Sequence, residues 1–220
     1  MHKEFAQIYD VFMKHIDYQS WYKFLRKYIK NKGKIIDLGC GTGEFIHRFL
    51  EDEFYVIGVD ISEEMLKISK SKIKNKKIKE SGYRLVKDNI ISYKNEEEVD
   101  YIICNFDRIN YLKNKKEFDM FLTKSNKNLK KGGYLIFDIV TKGIFEEIFE
   151  NGIFLDEEEE YTSIWRYEKK GERKYFIEID LFIKQDFKIL NEEKNIQNKV
   201  TVKNKEANKK DSKESETEID

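Results

Sequence analysis

The order of apolar and polar positions along the chain predicts alternating helices and strands. Residues 5–30 carry apolar side chains at steps of three and four, interrupted near residues 17–20, which predicts two amphipathic helices. Shorter apolar runs predict five strands, at residues 34–38, 55–59, 83–86, 99–104 and 134–139. A helix predicted over residues 118–129 ends at a glycine pair, and the fifth strand follows it. Strands that alternate with crossover helices form a parallel sheet with helices on both faces, so we expect a doubly wound α/β fold.

The pattern changes past residue 140. A brief helix is predicted over residues 145–149, and the β-rich runs 161–167 and 174–183 flank a charged loop, which indicates a β-hairpin. The chain then becomes polar, and we expect no ordered structure beyond about residue 200, because too few apolar side chains remain to offset the ordering entropy. Four parts are therefore predicted: an N-terminal helical cap (1–30), an α/β core (31–140), a helix and hairpin insertion (141–190) and a polar tail (191–220).

Composition and charge exclude several classes of protein. The 220 residues include 42 basic and 42 acidic side chains, and this balance disfavours nucleic acid as the partner. No apolar stretch is long enough to span a bilayer and the N-terminus lacks the features of a signal peptide, so we expect a cytoplasmic protein that does not enter a membrane. Cys40 and Cys104 are too few for a disulfide framework or a zinc quartet, and the acidic run 157–160 is better explained as a solvated loop. We therefore expect no bound metal.

The most informative segment is the turn after the first predicted strand, Gly39-Cys40-Gly41-Thr42-Gly43. Glycines at the carboxyl end of a first strand let a ligand approach the main chain, at the edge where open α/β sheets bind ligands. The dinucleotide-binding fingerprint requires glycine or alanine where this chain has Glu44, whose charge would repel a pyrophosphate. A P-loop is excluded because no Gly-Lys-Ser/Thr follows the turn.

Acidic residues around this turn narrow the choice of ligand. Asp37, just before the turn, suits an ammonium group, and Asp60, at the end of the second strand, is placed to accept both hydroxyls of a ribose. A ribose and an ammonium group without a pyrophosphate indicate S-adenosylmethionine. Met65 is a candidate for the adenine slot and Asp88 for the acceptor of the adenine amino group. Taken alone, core packing explains Met65 and capping explains Asp88 more readily; together with the glycine turn and Asp60, the cofactor role is favoured.

The chain resembles the class I S-adenosylmethionine-dependent methyltransferases through four motifs in the same order. They are DLGCGTG at residues 37–43, GVDISEEML at 58–66, KDNI at 87–90 and LKKGGYLIFD at 129–138. The resemblance implies a Rossmann-like, mostly parallel sheet and S-adenosylmethionine as the cofactor. It also implies cofactor-binding roles for Gly39, Gly41, Ile61 and Asn89, beside the acidic residues and Met65 already named.

A closer resemblance is to a subgroup of small bacterial cytosolic methyltransferases with an inserted β-hairpin. It rests on Tyr9-Asp10, Asp17-Tyr18, Trp21, CNFDRINYL at residues 104–112, and Ile164-Trp165. In that subgroup the N-terminal aromatic helices cover the cofactor and the hairpin covers the substrate pocket. The resemblance implies that Tyr9, Tyr18 and Trp21 lie near the methionine end of the cofactor, and it assigns Asn105 to the cofactor site.

The loop after the fourth strand carries the candidates for chemistry, because it lies at the sheet edge that faces the cofactor's reactive end. Asp107 is a candidate base or substrate anchor, with capping of the next segment as its structural alternative. Asn110 is a second catalytic candidate that could equally fix the loop backbone. Tyr111 and Trp165 are assigned to the substrate pocket, although hairpin core packing also explains Trp165. Methyl transfer is an in-line displacement, so proximity, alignment and exclusion of water matter most.

The resemblance ends near residue 190. In the subgroup another helix and two strands complete the sheet, whereas the remaining residues here are too few and too polar, so we expect the fifth strand to be an exposed edge. Three functions stay open. An S-adenosylmethionine-dependent methyltransferase of a small molecule is favoured over a catalytically silent or partner-dependent S-adenosylmethionine-binding protein, and over a nucleotide-dependent oxidoreductase, against which Glu44 argues.

Overall fold

The computed structural model describes residues 3–76, 80–141, 143, 147, 153–159, 161–169, 175–183 and 198–202. The chain divides into two compact units, Met1–Phe145 and Glu146–Asp220. Each unit has its own sheet, and the two are described in turn. Within the described residues, no helix combines the length and the apolar character that crossing a membrane requires.

Two short helices precede the first sheet, as the periodicity predicts. Helix α1 spans Lys3–Phe12 and helix α2 spans Tyr18–Arg26. After the interruption, helix α2 begins with an N-cap: the Asp17 side chain accepts a hydrogen bond from the backbone N–H of Ser20 at 2.9 Å. Such an N-cap satisfies one of the amide groups that a helix leaves unpaired in its first turn.

The first unit contains a five-stranded parallel sheet. Its strands are β1 (Lys34–Leu38), β2 (Tyr55–Asp60), β3 (Tyr83–Lys87), β4 (Val99–Cys104) and β5 (Leu129–Phe137). They lie in the order β3-β2-β1-β4-β5, with every neighbouring pair parallel. This order reverses between β1 and β4, which is where open α/β sheets bind ligands. The predicted fold class is confirmed.

Helices connect these strands and cover both faces of the sheet. They are α3 (Glu44–Glu51), α4 (Glu63–Asn75) and α5 (Lys115–Asn128), with 3-10 turns at Glu80–Gly82 and Arg108–Tyr111. Neighbouring residues of β1 show the two layers: Ile35 packs in one buried cluster with Phe49 of α3, and Ile36 packs in another with Phe121 of α5. Fully apolar strands are expected when both faces of a parallel sheet are covered.

Strand β5 corrects one detail of the sequence analysis. Helix α5 ends at Asn128 and strand β5 begins at once, whereas we expected residues 130–133 to separate them. The pairing jumps from Val99 opposite Leu129 to Tyr101 opposite Tyr134, so residues 130–133 are accommodated as an irregularity within the strand. A left-handed φ of +83° at Gly132 permits this local bend. Strand β5 also forms one edge of the described sheet, as expected.

The second unit contains a four-stranded antiparallel sheet instead of a lone hairpin. Its strands are β6 (Ile153–Glu157), β7 (Tyr161–Lys169), β8 (Tyr175–Ile183) and β9 (Asn198–Val202), paired in that order. Strands β7 and β8 form the predicted hairpin.

Strand β9 lies within the predicted polar tail, near residue 200, beyond which we expected no ordered structure. It pairs antiparallel with β8, with Val200 opposite Leu181 and Val202 opposite Ile179. The other residues beyond 183 lie outside the described part of the chain, as does the helix predicted over residues 145–149 except for residue 147.

Candidate functional site

The glycine turn lies directly beyond the carboxyl end of β1. Gly39, Gly41 and Gly43 have φ values of +77°, +54° and +82°, a left-handed conformation that strongly favours glycine. The backbone N–H groups of Gly39 and Cys40 both donate to the carbonyl of Val59, at 2.7 and 3.0 Å. The turn is therefore fastened to the end of β2, and Gly43 leads directly into α3.

Asp60 is the second fastening point of this turn. Its Oδ2 accepts from the N–H of Gly41 at 2.9 Å and its Oδ1 accepts from the N–H of Ser62 at 2.8 Å. The carboxylate is only 4% exposed. Each oxygen keeps a further lone pair, so the group is held rigidly while it can still accept hydrogen bonds from a bound diol.

Asp37 lies at the tip of β1, beside Asp60, and is 2% exposed. Burial raises the pKa of its carboxyl to about 7, and the charge of Asp60 acts in the same direction, whereas the charge of Arg108 opposes them. A cation placed next to Asp37 would favour its ionised form. The pair of buried acids therefore makes the end of β1 a site suited to a positively charged ligand.

A narrow cleft opens over the glycine turn. Its lining consists of Tyr9, Tyr18, Asp37, Gly39, Cys40, Gly41, Thr42, Glu44, Phe45, Asn105, Phe106 and Arg108. The cavity has a volume of about 20 Å³, which is roughly the space of one ordered water molecule. The sequence analysis assigned Tyr9, Tyr18, Asp37, Gly39, Gly41 and Asn105 of this set to the cofactor, and the structure brings these six together.

Arg108 fills much of this cleft. A Cβ atom at Gly39 would lie 2.9 Å from Arg108 Cγ, and one at Gly41 would lie 3.5 Å from Arg108 Nη2. The arginine stem therefore rests on the first glycine and its guanidinium rests on the second. The sequence analysis gave no role to this residue, although Arg108 is the one cation in the motif CNFDRINYL at residues 104–112.

The predicted aromatic residues of the N-terminal helices gather around the cleft. Tyr9 of α1 and Tyr18 of α2 line it, and the Tyr18 ring packs edge-on against Phe106 with centroids 5.4 Å apart. Trp21 Nε1 donates to Asn105 Oδ1 at 3.2 Å, which joins α2 to the end of β4. The Nδ2 group of Asn105 is buried and has no hydrogen-bond partner in the described part of the chain.

A polar network that the sequence analysis did not find ties α1 to the glycine turn. Thr42 Oγ1 donates to Asp10 Oδ1 at 2.6 Å, and Lys72 Nζ of α4 pairs with Asp10 Oδ2 at 2.6 Å. Lys72 Nζ also donates to Thr42 Oγ1 at 3.1 Å. These three side chains come from separate elements, so no local pattern in the sequence signals their contact.

The loop after β4 holds the catalytic candidates outside the cleft lining. The N–H of Asp107 donates to Asp138 Oδ2 at 2.8 Å. Burial raises the pKa of the Asp107 carboxyl to about 6, with Arg108 opposing this rise. The Asn110 amide exchanges two hydrogen bonds with the backbone of Val140, at 3.0 and 3.2 Å. Tyr111 is 58% exposed. Asn110 thus ties two loops together in this structure.

Four further residues assigned to the cofactor lie outside the described cleft lining: Met65 and Asp88, predicted to contact the adenine, and Ile61 and Asn89. Asp88 Oδ1 accepts from Ser92 Oγ at 3.1 Å, and Asn89 Oδ1 accepts from the N–H of Ile91 at 3.1 Å, so both side chains cap the turn after β3. Ile61 is exposed, whereas Met65 is fully buried at the start of α4.

Trp165 belongs to the second unit. It lies on β7, where its Nε1 donates to Ser163 Oγ at 2.9 Å and its ring centroid lies 6.5 Å from that of Phe154. Its assignment to a substrate pocket stays a prediction.

Among the described residues, no group of three or more His, Cys, Asp or Glu side chains is arranged to hold a metal ion.

Comparisons with known proteins agree with an α/β protein that binds a cofactor at the tips of β1 and β2. Residues 29–215 match the model of a family described as "Methyltransferase domain". The chain belongs to this family. It is 33% identical over 168 residues to YqeM of Bacillus subtilis (strain 168), a protein named as a methyltransferase, across 76% of this chain and 66% of that protein. The chain thus spans about two thirds of the length of this relative.

Solved structures show the same fold. An S-adenosylmethionine-dependent methyltransferase from Clostridium acetobutylicum superposes with a TM-score of 0.72 at 23% identity, over 90% of this chain and 78% of that one. CalS10, an amino pentose methyltransferase from Micromonospora echinaspora solved with S-adenosylmethionine bound, superposes with a TM-score of 0.58 at 22% identity, over 75% and 67%. Together with the family match, these findings confirm the predicted fold and the predicted class of methyltransferases. Both solved structures are described with S-adenosylmethionine, the cofactor predicted for this chain. They do not support the oxidoreductase alternative.

The residues around the glycine turn fit this cofactor in their chemistry. Side chains at Gly39 and Gly41 would close the cradle, and buried Asp37 and Asp60 match an ammonium group and a ribose diol. Asn105, which lines the same cleft, has a buried Nδ2 donor without a partner among the described residues. The space above the cradle is taken by Arg108. The chemistry of these residues therefore suits S-adenosylmethionine, which can occupy the site once Arg108 moves.

Proposed function

We propose that this chain transfers a methyl group from S-adenosylmethionine to a small-molecule acceptor. The observation that carries the proposal is the pair of buried carboxylates, Asp37 and Asp60, beside a glycine turn at the point where the order of the strands reverses. Membership of the methyltransferase domain family supports the reaction class.

Particular residues would hold the cofactor. Asp60 would accept the ribose hydroxyls, and Asp37 would pair with the ammonium group. Met65 and Asp88 would contact the adenine, with Ile61 and Asn89 as further cofactor-binding residues. Tyr9, Tyr18 and Trp21, on helices tied to the turn, would cover the methionine end. When bound, the cofactor supplies a methyl group on a positively charged sulfur that a nucleophile can attack in line.

The chain's own contribution to the reaction would be alignment and exclusion of water. Aromatic side chains from α1 and α2 shield the cleft, which strengthens electrostatic interactions inside it. Asp107 is suited to accept a proton from the acceptor, because a carboxyl with a pKa of about 6 is ionised at neutral pH and remains a stronger base than an ordinary aspartate.

A small molecule is favoured as the acceptor for two reasons. The 42 basic and 42 acidic residues cancel, so the chain has no overall charge to attract a nucleic acid. Relatives and fold neighbours include proteins named for small substrates, such as an amino pentose methyltransferase and an enzyme of ubiquinone biosynthesis. Those names describe those proteins, and they motivate the choice of acceptors to test here.

The proposal is tested by offering the purified chain S-adenosylmethionine with a methyl label and separate panels of small amines, small phenols, total RNA and protein. We expect label in at least one small molecule and none in RNA or protein. Asp107→Asn, which keeps the size of the side chain, should lower the rate by about 10²-fold or more at pH 7.5. Labelled RNA or protein without any labelled small molecule would contradict the proposal.

A catalytically silent cofactor-binding protein is the second candidate. The lining of the cleft favours it, because six residues predicted to bind the cofactor line this cleft whereas the catalytic candidates Asp107 and Asn110 do not. It predicts cofactor binding without label in any of the panels, so the same experiment separates the two candidates.

A further inference from the structure

Arg108 is the residue of the cleft that the proposed function leaves unexplained. Its stem approaches the position of a Gly39 Cβ to 2.9 Å, and its Nη2 approaches that of a Gly41 Cβ to 3.5 Å. Its Nε is buried and finds no hydrogen-bond acceptor among the described residues. A buried guanidinium donor without a partner is costly, so contacts of the rest of the side chain must hold it there.

The charges around Arg108 explain why a cation rests in this place. Burial alone would lower the pKa of Arg108, but the phenol oxygens of Tyr9 and Tyr111 and the carboxylates of Asp60 and Asp107 raise it above its ordinary value. Arg108 in turn lowers the pKa values of Asp37 and Asp107, against the effect of burial. The guanidinium therefore compensates acids that would otherwise repel one another in a region of low dielectric.

We propose that Arg108 is a resident cation of the cofactor cleft, which the positively charged S-adenosylmethionine must displace, so that Arg108 sets the affinity for the cofactor. The inference rests on the cofactor assignment made above and does not depend on the identity of the acceptor. It makes Arg108 a residue that lowers cofactor affinity, because part of the binding free energy is used to move the side chain out.

The geometry favours the displacement of Arg108 by the cofactor over an alternative role. In that alternative, Arg108 binds the carboxylate of the cofactor or of an acidic acceptor. A carboxylate partner would have to fit beside the arginine, but the cavity that remains is only about 20 Å³. S-adenosylmethionine brings a carboxylate of its own, so charge does not separate the two alternatives. Space does, because the position against Gly39 and Gly41 is free for the cofactor only once the Arg108 side chain has left it.

The side chain of Arg108 offers a way for it to move. The backbone is fixed on both sides of it, because the N–H of Asp107 donates to Asp138 Oδ2 at 2.8 Å and Asn110, in the same 3-10 turn Arg108–Tyr111, is anchored to Val140. The arginine stem is unbranched and has several rotatable bonds. Rotation about these bonds would carry the guanidinium out of the cleft while the backbone stays in place.

The test is the affinity for S-adenosylmethionine and for S-adenosylhomocysteine, measured by calorimetry on the full chain with Arg108→Ala. A closed state that leaves the open one populated at no more than about 10% reduces the apparent affinity by at least tenfold. We expect Arg108→Ala to bind both compounds at least about tenfold more tightly than the wild type. Arg26→Ala is the matched control, because Arg26 pairs with Asp52 at 3.2 Å outside the cleft. We expect this variant to bind both compounds with the affinity of the wild type.

Arg108→Met, which keeps an unbranched stem without the charge, serves as a second variant should Arg108→Ala fail to fold, and it should also bind more tightly. Unchanged affinity in the folded variants would overturn the proposal. Weaker affinity would overturn it too, and would indicate that the guanidinium holds a carboxylate. Failure of both wild type and variants to bind either compound would equally overturn it. Binding needs no acceptor, so failure to find an acceptor leaves this result unaffected.

Discussion

Asp60 Oδ2 accepts a hydrogen bond from the backbone N–H of Gly41 at 2.9 Å, which joins the tip of β2 to the centre of the turn after β1. The other oxygen of the same carboxylate accepts from Ser62 at the start of α4, at 2.8 Å. One side chain therefore fixes the glycine turn and the adjacent helix. The residue assigned to the cofactor's ribose is also part of the frame of the site.

This dual role predicts that Asp60→Ala lowers the stability of the chain. Hydrogen bonds to a charged group contribute about 1.5–3 kcal/mol each, and two backbone donors would lose their acceptor. We expect the free energy of unfolding, measured in urea, to fall by at least about 2 kcal/mol. Asp60→Asn, which keeps one carbonyl oxygen, should fall by less. Equal stabilities of Asp60→Ala and the wild type would contradict the bonding described here.

Buried Asp37 predicts a dependence of stability on pH. Its pKa is raised to about 7 in the folded chain, compared with about 3.9 for an unfolded aspartate. Between these values the folded state binds more protons than the unfolded state, so this group's contribution to stability decreases as pH rises from about 4 to 7. The decrease is at most about 1.4 kcal/mol per pH unit, and it levels off above pH 7.

The matched variant for this prediction is Asp37→Asn, which cannot ionise. The difference in unfolding free energy between Asp37→Asn and the wild type should grow in favour of the variant between pH 5 and pH 8. Using the difference removes the contributions of other groups, such as His47, whose pKa burial lowers. A difference that stays constant with pH would show that Asp37 is not the group responsible.

The surroundings of Gly43 predict that substitution of this residue destabilises the fold. A Cβ atom there would lie 2.2 Å from Ser69 Oγ and 3.5 Å from the Ser69 Cα, and φ is +82°. Gly132 has nearly the same φ, +83°, with nothing within 4 Å of its Cβ position. Alanine at either glycine therefore has a left-handed strain of about 1–2 kcal/mol, but only Gly43→Ala adds a steric conflict.

We expect Gly43→Ala to unfold at a lower urea concentration than Gly132→Ala, with about 1–3 kcal/mol between them. Gly43→Ala combined with Ser69→Ala should recover part of that gap, because the nearest clashing atom is removed. Equal midpoints for the two single variants would mean that α4 moves aside at little cost.

The network of Asp10, Thr42 and Lys72 predicts that α1 depends on α4 for its position. Lys72→Met removes the ion pair to Asp10 and the hydrogen bond to Thr42 while keeping an unbranched stem. Amide hydrogen exchange should become roughly fivefold faster in α1, equivalent to ~1 kcal/mol of local stability, while α2 serves as the internal reference. Equal acceleration in α1 and α2 would indicate general destabilisation.

The frame of the site could be predicted because its signals are local. The turn from Gly39 to Gly43 needs glycines at defined positions. Asp37 and Asp60 lie at the carboxyl ends of two strands that apolar runs in the sequence predict. Parallel strands bring such ends to one edge of the sheet, so their proximity followed from the class of fold. The resemblance to the methyltransferase subgroup predicted that Tyr9 and Tyr18 lie near the cofactor, and both line the cleft.

The rest could not be predicted because it depends on contacts between distant segments. Nothing local shows that the Arg108 stem lies on Gly39, or that Lys72 reaches Asp10. Strand β9 was not predicted from the sequence, because it forms by pairing with the edge of strand β8, and no local pattern indicates that pairing. The irregularity in β5 is similarly fixed by its pairing with β4 and by no motif of its own.

Every cofactor role assigned above depends on the binding of S-adenosylmethionine at the acid-flanked glycine turn. This binding is measured most directly by calorimetric titration of S-adenosylmethionine into the wild type and into Asp60→Asn, with folding of both checked by circular dichroism. We expect saturable binding to one site in the wild type and affinity at least about tenfold weaker in the variant, since a charged acceptor of two hydroxyls becomes a neutral one. Equal affinity in the two proteins would contradict it.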